Sequence, residues 1–347
     1  MKTSTKHAER GFSLVELMIA LALGLFLTGV AISIVVNNRQ TFRTAENQAR
    51  MQENARAAFE MISRDLRGAG GTPCGASRYT NVLNNNAAVW WRNFEANSLR
   101  GFRHSQAADL NAAGVPTGAG GVQPLANTDS LIALSGNVDE AFIVASHNAA
   151  ATPPQFTLTT SQHGFGAGEV LMVCDNIQAS IFQASNNPNG LTIVEHNTGG
   201  PSPGNSVATL SKTFENGAMI TRYSSALWFV GANGRGGNSL FRRRFDPTTG
   251  AEVNDEIIDN VTNLEFRYVL RNPAATPATP STWIYADAVN VTQWNIITPP
   301  LTRVEAVRVT LTLQSRDNVG ISNTGQAAPL TTTVSENIYL RNREYRP

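Results

Sequence analysis

Gly11-Phe12-Ser13-Leu14-Val15-Glu16-Leu17 opens an apolar run that continues to Val36 as FSLVELMIALALGLFLTGVAISIVV, with Glu16 its only charge. As a helix, residues 12–36 would rise roughly 37 Å, enough to cross a hydrocarbon core with some tilt. The stretch before it, MKTSTKHAER, carries Lys2, Lys6 and Arg10 against one acid, Glu9. A secretory signal peptide has a shorter apolar core that ends at a small-residue cleavage site. Here the candidate processing point, Gly11 before Phe12, lies ahead of the apolar segment, so that segment is kept. A carboxylate inside hydrocarbon is costly unless it finds a partner, which marks Glu16 as a functional position by default. The plainer alternative places Glu16 within about one and a half turns of the membrane surface, where it snorkels.

These residues resemble the type IV prepilin leader, G-F-[ST]-L-[VI]-E, shared by pilins and by the pseudopilins of type II secretion. The resemblance implies that a prepilin peptidase cuts between Gly11 and Phe12 on the cytoplasmic side. Phe12 then becomes an N-methylated terminus, and Glu16 pairs with the terminal amine of a neighbouring subunit. Charge alone sets the orientation poorly, because Arg39, Arg43 and Arg50 beyond the span balance Lys2, Lys6 and Arg10 before it. The resemblance and the cysteine usage decide it. Cys74 and Cys174, the only 2 cysteines, both follow the span and suit one disulfide in an oxidising periplasm. Two buried free thiols are the alternative. Two distant cysteines and scattered histidines give no zinc-ligand spacing.

From Asn37 to Arg67 the chain has no Pro or Gly and reads as an amphipathic continuation of the same helix. Phe42, Ala45, Ala49, Ala55, Phe59, Ile62 and Leu66 are expected to share a face, and Gly68-Ala69-Gly70-Gly71-Thr72-Pro73 to stop it. Beyond lies a stretch rich in Asn, Thr, Ser, Gly and Pro, with many short β-type runs. Val307-Arg308-Val309-Thr310-Leu311-Thr312-Leu313 alternates strictly, and Leu264, Phe266, Tyr268 and Leu270 alternate with polar residues. Glu169–Cys174, Ala218–Tyr223, Leu227–Val230, Leu240–Phe245 and Thr331–Leu340 are further strand candidates. The expected fold is α+β: a pilin-like lollipop whose long N-terminal helix packs on a large antiparallel β-sheet head. Its parts are a leader (1–11), a membrane or filament-core helix (12–36), the amphipathic continuation (37–68) and a β-rich periplasmic head (69–347).

Several head runs resemble the PilW family of type IV pilus minor pilins. They are Gly168–Asp175, Ala179–Gln183, Asn238–Arg242, Ile258–Tyr268 and the final Leu340-Arg341-Asn342-Arg343. The resemblance implies a low-abundance subunit of the inner membrane that moves to the pilus, near its tip. There it primes assembly with other minor pilins and the major pilin, presents a tip adhesin and supports twitching motility. A GspJ-like type II secretion pseudopilin is the alternative, although its head is smaller. A membrane-tethered hydrolase or DNA-binding receptor is a third reading.

The residues give that third reading little support. His7, His104, His147, His163 and His196 form no metal-ligand pair spacing, and no G-x-S-x-G elbow occurs. No catalytic residue, metal or cofactor is expected. Gly164-Phe165-Gly166-Ala167-Gly168 reads as a turn before a strand. Asp255, Glu256 and Asp259 read as solvated residues at a strand entry rather than a cation site. Arg242-Arg243-Arg244 is basic, but 27 Lys and Arg face 26 acids across the chain, so no nucleic-acid partner is expected. A solvated or edge strand is the favoured reading of that run. Trp90, Trp91, Trp228, Trp283 and Trp294 are either core or a contact surface for a neighbour.

Overall fold

The computed structural model describes residues 13–76, 78–117, 121–271, 282–294, 302–321 and 326–343. The leader, with Gly11 and Phe12, lies outside them, as does most of the 272–282 loop. One helix, α1, runs unbroken from Leu14 to Gly68, about 82 Å at 1.5 Å per residue. It passes Gly24 and Gly29 without a break. Thr28 and Thr41 donate to the carbonyls of Gly24 and Asn37, four residues back, at 2.7 and 3.0 Å, so their hydroxyls are satisfied within the helix. The chain forms two compact units, Met1–Met51 with Ser315–Leu330, and Gln52–Gln314 with Thr331–Pro347.

In α1 the buried stripe consists of Asn47, Met51, Ala55, Ala58, Phe59, Ile62 and Leu66. Phe42, expected on that face, is 77% exposed. At 100° per residue it lies about 180° around the helix from Met51, and Ala45 and Ala49 are exposed on the same outer side. The two apolar patterns therefore differ in phase and do not make one stripe.

The second unit is built from strands β1 (Arg78–Asn81), β2 (Leu99–Phe102), β3 (Ser130–Asn148), β4 (Gln155–Leu158) and β5 (Val170–Cys174). There follow β6 (Gln178–Gln183), β7 (Ile193–Glu195), β8 (Met219–Ala232), β9 (Asn238–Asp246) and β10 (Ala251–Asp259). These ten make one sheet in the order β1-β6-β5-β8-β3-β4-β7, with β2 on β3 and β9 and β10 extending from β8. Only β1 with β6 is parallel. Further along come β11 (Val261–Arg271), β12 (Arg303–Gln314), the two-residue β13 (Gly320–Ile321) and β14 (Ala327–Ala328), and β15 (Thr331–Tyr339). β11-β12-β15 is a second antiparallel sheet, while β13 and β14 form a hairpin in the first unit.

β5 shows why parts of the head read as unbroken apolar runs. Val170, Met172 and Cys174 join a core with Trp90, Trp91, Phe94 and Phe229, while Leu171 and Val173 join another with Phe156, Phe182 and Ile220. Both faces of the strand are covered, so alternation disappears. Trp90, Trp91, Trp228 and Trp294 are all buried, which makes them core, and Trp91 stacks on Phe245 at 4.1 Å.

β9 lies between β8 and β10, which corrects the expectation of a solvated or edge strand at Arg242-Arg243-Arg244. Arg242 pairs with Asp65 of α1 at 2.7 Å and Arg244 with Asp255 of β10 at 2.8 Å. Arg243, on the opposite face, is buried and donates to Asn254 Oδ1 and the Val122 carbonyl at 2.8 and 2.6 Å. Burial lowers its pKa. The acids read as strand-entry residues lie within β10 itself, and Asp255 and Glu256 are paired with arginines.

Candidate functional site

The N-terminal end of α1 is built by Ser13-Leu14-Val15-Glu16. The Val15 N–H donates to Ser13 Oγ at 3.3 Å, and the Ser13 N–H donates to Glu16 Oε2 at 3.0 Å. This is a capping box, in which a serine and an acid three residues later satisfy orphan N–H groups reciprocally. The S-x-x-E spacing of Ser13 and Glu16 is a sequence signal for this cap, beside the role of Glu16 as a charge for a neighbour. Leu14 to Val36 are exposed around this helix, as an apolar surface awaiting lipid or other helices would be.

The other end of α1 is held by the head. Asp65 is the clamp: Oδ2 accepts from Arg242 Nε at 2.7 Å and from Trp228 Nε1 at 3.0 Å, while Oδ1 accepts from Arg242 Nη2 at 3.1 Å. The Asp65 and Arg242 side chains are only 9% and 15% exposed. At the last turn, Asn342 Nδ2 donates to the carbonyls of Arg67 and Gly68, both at 3.2 Å. It thereby caps carbonyls that have no partner within a helix. A side chain at Gly71 would collide with that amide, so the glycine permits the cap. Nothing in the sequence pairs Asp65 with Arg242 or Arg67 with Asn342.

Cys74 and Cys174 are joined, with Sγ–Sγ 2.04 Å and Cα–Cα 5.9 Å. The bond ties the segment after α1 to the end of β5. A cleft of about 1440 Å³ runs beside the second half of α1. Its walls mix apolar side chains such as Phe59 and Val334 with charged ones such as Arg56, Glu60, Glu140 and Glu336.

Three of the head histidines are fully engaged. His147 Nδ1 accepts from the Phe214 N–H at 3.1 Å, and its Nε2 meets His196 Nε2 at 2.9 Å. His196 Nδ1 meets the Ala208 carbonyl at 2.9 Å. Those contacts fix both rings as neutral: His147 carries its proton on Nε2 and His196 on Nδ1. Burial, and then the neighbouring His196, lower the pKa of His147 to about 4, and burial lowers that of His196. His163 likewise accepts from the Phe165 N–H and donates to the Leu191 carbonyl. None of these rings has a nitrogen left for catalysis or for a metal. Among the described residues no three His, Cys, Asp or Glu side chains converge as a ligand group.

Comparison with known families assigns both ends of the chain. Residues 6–32 match the prokaryotic N-terminal methylation motif, and residues 227–344 match the model for type IV pilus-assembly protein W. The two matches support a type IV pilus minor pilin of the PilW family. The PilW match covers about a third of the chain and begins inside β8. It takes in the whole of the second sheet and Trp228, Arg242 and Asn342, the residues that hold Asp65 and the last turn of α1. Family and motif together imply processing by a prepilin peptidase and assembly with other pilins. The methylation motif and the apolar α1 fit an inner-membrane anchor. The PilW match suggests a structural role rather than a catalytic one. No curated protein and no solved structure matches the chain significantly.

Proposed function

We propose that this PilW-type subunit primes pilus assembly within a complex of minor pilins at the filament tip, supports display of an adhesin and thereby contributes to twitching motility. It is a structural subunit with no catalytic role of its own. The observation that carries the reading is the joint occurrence of the methylation motif on an apolar helix and the PilW match on the head to which that helix is clamped. A prepilin peptidase removes residues 1–11 by cutting between Gly11 and Phe12, and Phe12 is N-methylated. The head then stands in the periplasm.

Glu16 is the assembly residue. Its carboxylate accepts from the Ser13 N–H, a group that remains after the proposed cleavage. The charge is therefore held within its own helix until the terminal amine of a neighbour becomes available. Exchanging one partner for another avoids leaving an unpaired charge in hydrocarbon at any stage.

Surface pili and secreted enzyme activity, measured together in a strain lacking the gene, test the function. Loss of pili and of surface motility with normal secretion is the expected result. Normal pili with failed secretion would overturn it in favour of a type II secretion pseudopilin.

A further inference from the structure

We propose that Asn189-Gly190, in the loop between β6 and β7, is a site of spontaneous deamidation, where water converts the Asn189 amide to aspartate or isoaspartate as the folded protein ages. The Gly190 nitrogen gives up its proton and attacks Asn189 Cγ. The new C–N bond closes a succinimide, the Cγ–Nδ2 bond breaks, and ammonia leaves carrying that proton. Water then opens the ring at either carbonyl, which restores the ordinary backbone as aspartate or routes it through the β-carbon as isoaspartate. The balance is one amide and one water to one acid and one ammonia. Glycine as the following residue favours the closure, because it puts no side chain beside the attacking nitrogen and lets the peptide turn freely.

The sequence holds three Asn-Gly pairs, Asn189-Gly190, Asn216-Gly217 and Asn233-Gly234, and the fold separates them. Their glycines share positive φ values of 74°, 95° and 70°, so backbone region does not distinguish them. Hydrogen bonding does. Asn233 Nδ2 donates to Ser239 Oγ at 3.0 Å, and its Oδ1 accepts from the Arg235 and Gly237 N–H groups at 3.0 and 3.1 Å. That carboxamide cannot turn toward Gly234 without breaking all three. At the second pair the attacking nitrogen is occupied, since the Gly217 N–H donates to the Val144 carbonyl at 3.0 Å. Asn189-Gly190 carries neither restraint. Among the described residues no hydrogen bond reaches the Asn189 carboxamide, the Gly190 N–H or the Asn189 carbonyl. Both residues are exposed, and nothing lies within 4 Å of the Gly190 Cβ position. The turn is closed around them by the Leu191 N–H on the Pro188 carbonyl at 2.9 Å, with Pro188 buried. The peptide group between Asn189 and Gly190 can therefore rotate while the ends of the turn stay fixed. Either product adds a negative charge to this exposed loop. Isoaspartate also lengthens the main chain just before Leu191, whose carbonyl meets the buried His163 at 2.7 Å.

The test is timed incubation of purified full-length protein in detergent and mildly alkaline buffer. Peptide mapping by mass spectrometry then reads each Asn-Gly pair, and isoaspartyl methyltransferase labelling scores isoaspartate. Folded protein is expected to lose Asn189 at least about fivefold faster than Asn216 or Asn233, the factor supplied by one hydrogen bond that must first break. In urea the three pairs should react at comparable rates, because only their neighbours in sequence then matter. Asn189→Gln, whose longer side chain closes the ring poorly, should remove the acidic form that accumulates on isoelectric focusing. Equal rates at the three pairs in folded protein, or an Asn189 that survives folded incubation yet reacts in urea, overturns the proposal. A preference for Asn189 that is as large in urea, or an acidic form that persists in Asn189→Gln, overturns it as well.

Discussion

Replacing Asp65 with alanine should loosen α1 from the head far more than one surface acid would. The carboxylate accepts three hydrogen bonds, two from Arg242 and one from Trp228. Its loss strands a guanidinium that is 15% exposed and a buried indole N–H. Breaking a buried ion pair from one side costs about 3–5 kcal/mol, and the indole adds about 1 kcal/mol or more. Against a domain stability of roughly 5–15 kcal/mol, the variant should melt at least roughly 8 °C lower, at about 2–4 °C per kcal/mol for a domain of this size. Thermal melts of the purified full-length protein in detergent, followed by tryptophan fluorescence, would measure it. The companion variants are Arg242→Met and the double Asp65→Leu/Arg242→Met. Because the double removes both charges and leaves neither unpaired, it should cost much less than the sum of the singles. A loss under about 1 kcal/mol for Asp65→Ala, or strict additivity in the cycle, would refute the clamp.

Glu16→Ala should leave leader removal intact but reduce incorporation into pili, seen as normal processed protein in the membrane and depletion from sheared filaments. Stability should fall on acidification. His147 has a lower pKa folded, about 4, than in an unfolded chain, so its contribution is complete above about pH 6.5 and is lost as the pH drops toward 4. Discounted for a ring that is partly exposed, that amounts to roughly 1–2 kcal/mol, and His147→Asn should flatten the urea-midpoint profile over that window. Cys74→Ser should lower the urea midpoint by an amount worth up to about 4–5 kcal/mol in the chain-entropy model, and reduction of the wild type should reproduce it. Gly101→Ala places a methyl group on the Tyr268 hydroxyl and should cost about 1–3 kcal/mol by overpacking, readable in the same melts.

Local pattern made much of this architecture legible. The apolar run from Phe12, the stop at Gly68 and the alternation of Val307 to Leu313 each depend on neighbours in sequence, and the helix and β12 follow them. Ser224 and Ser225 interrupt the apolar residues of β8, so the sequence pattern shows two strands where one continues through them. The acids of β10 mask its strand pattern; their countercharges sit on β9 and in the turn before it. The phase of Phe42 is not legible in the sequence because small alanines fit either face of a helix. The clamp at Asp65 could not be read at all, its partners lying 163 and 177 residues away.

The Asn342 cap has a consequence for the order in which the protein can be made. α1 leaves the ribosome and reaches the membrane first, but its last-turn carbonyls wait for a side chain synthesised some 275 residues later. The strand alongside it, β15, arrives in the same late segment. On the proposed inner-membrane topology, the last turn of α1 therefore stays uncapped by Asn342 while the rest of the head is still being made. On that topology a chain cut short before residues 331–343 would keep its membrane helix but lack both the cap and β15.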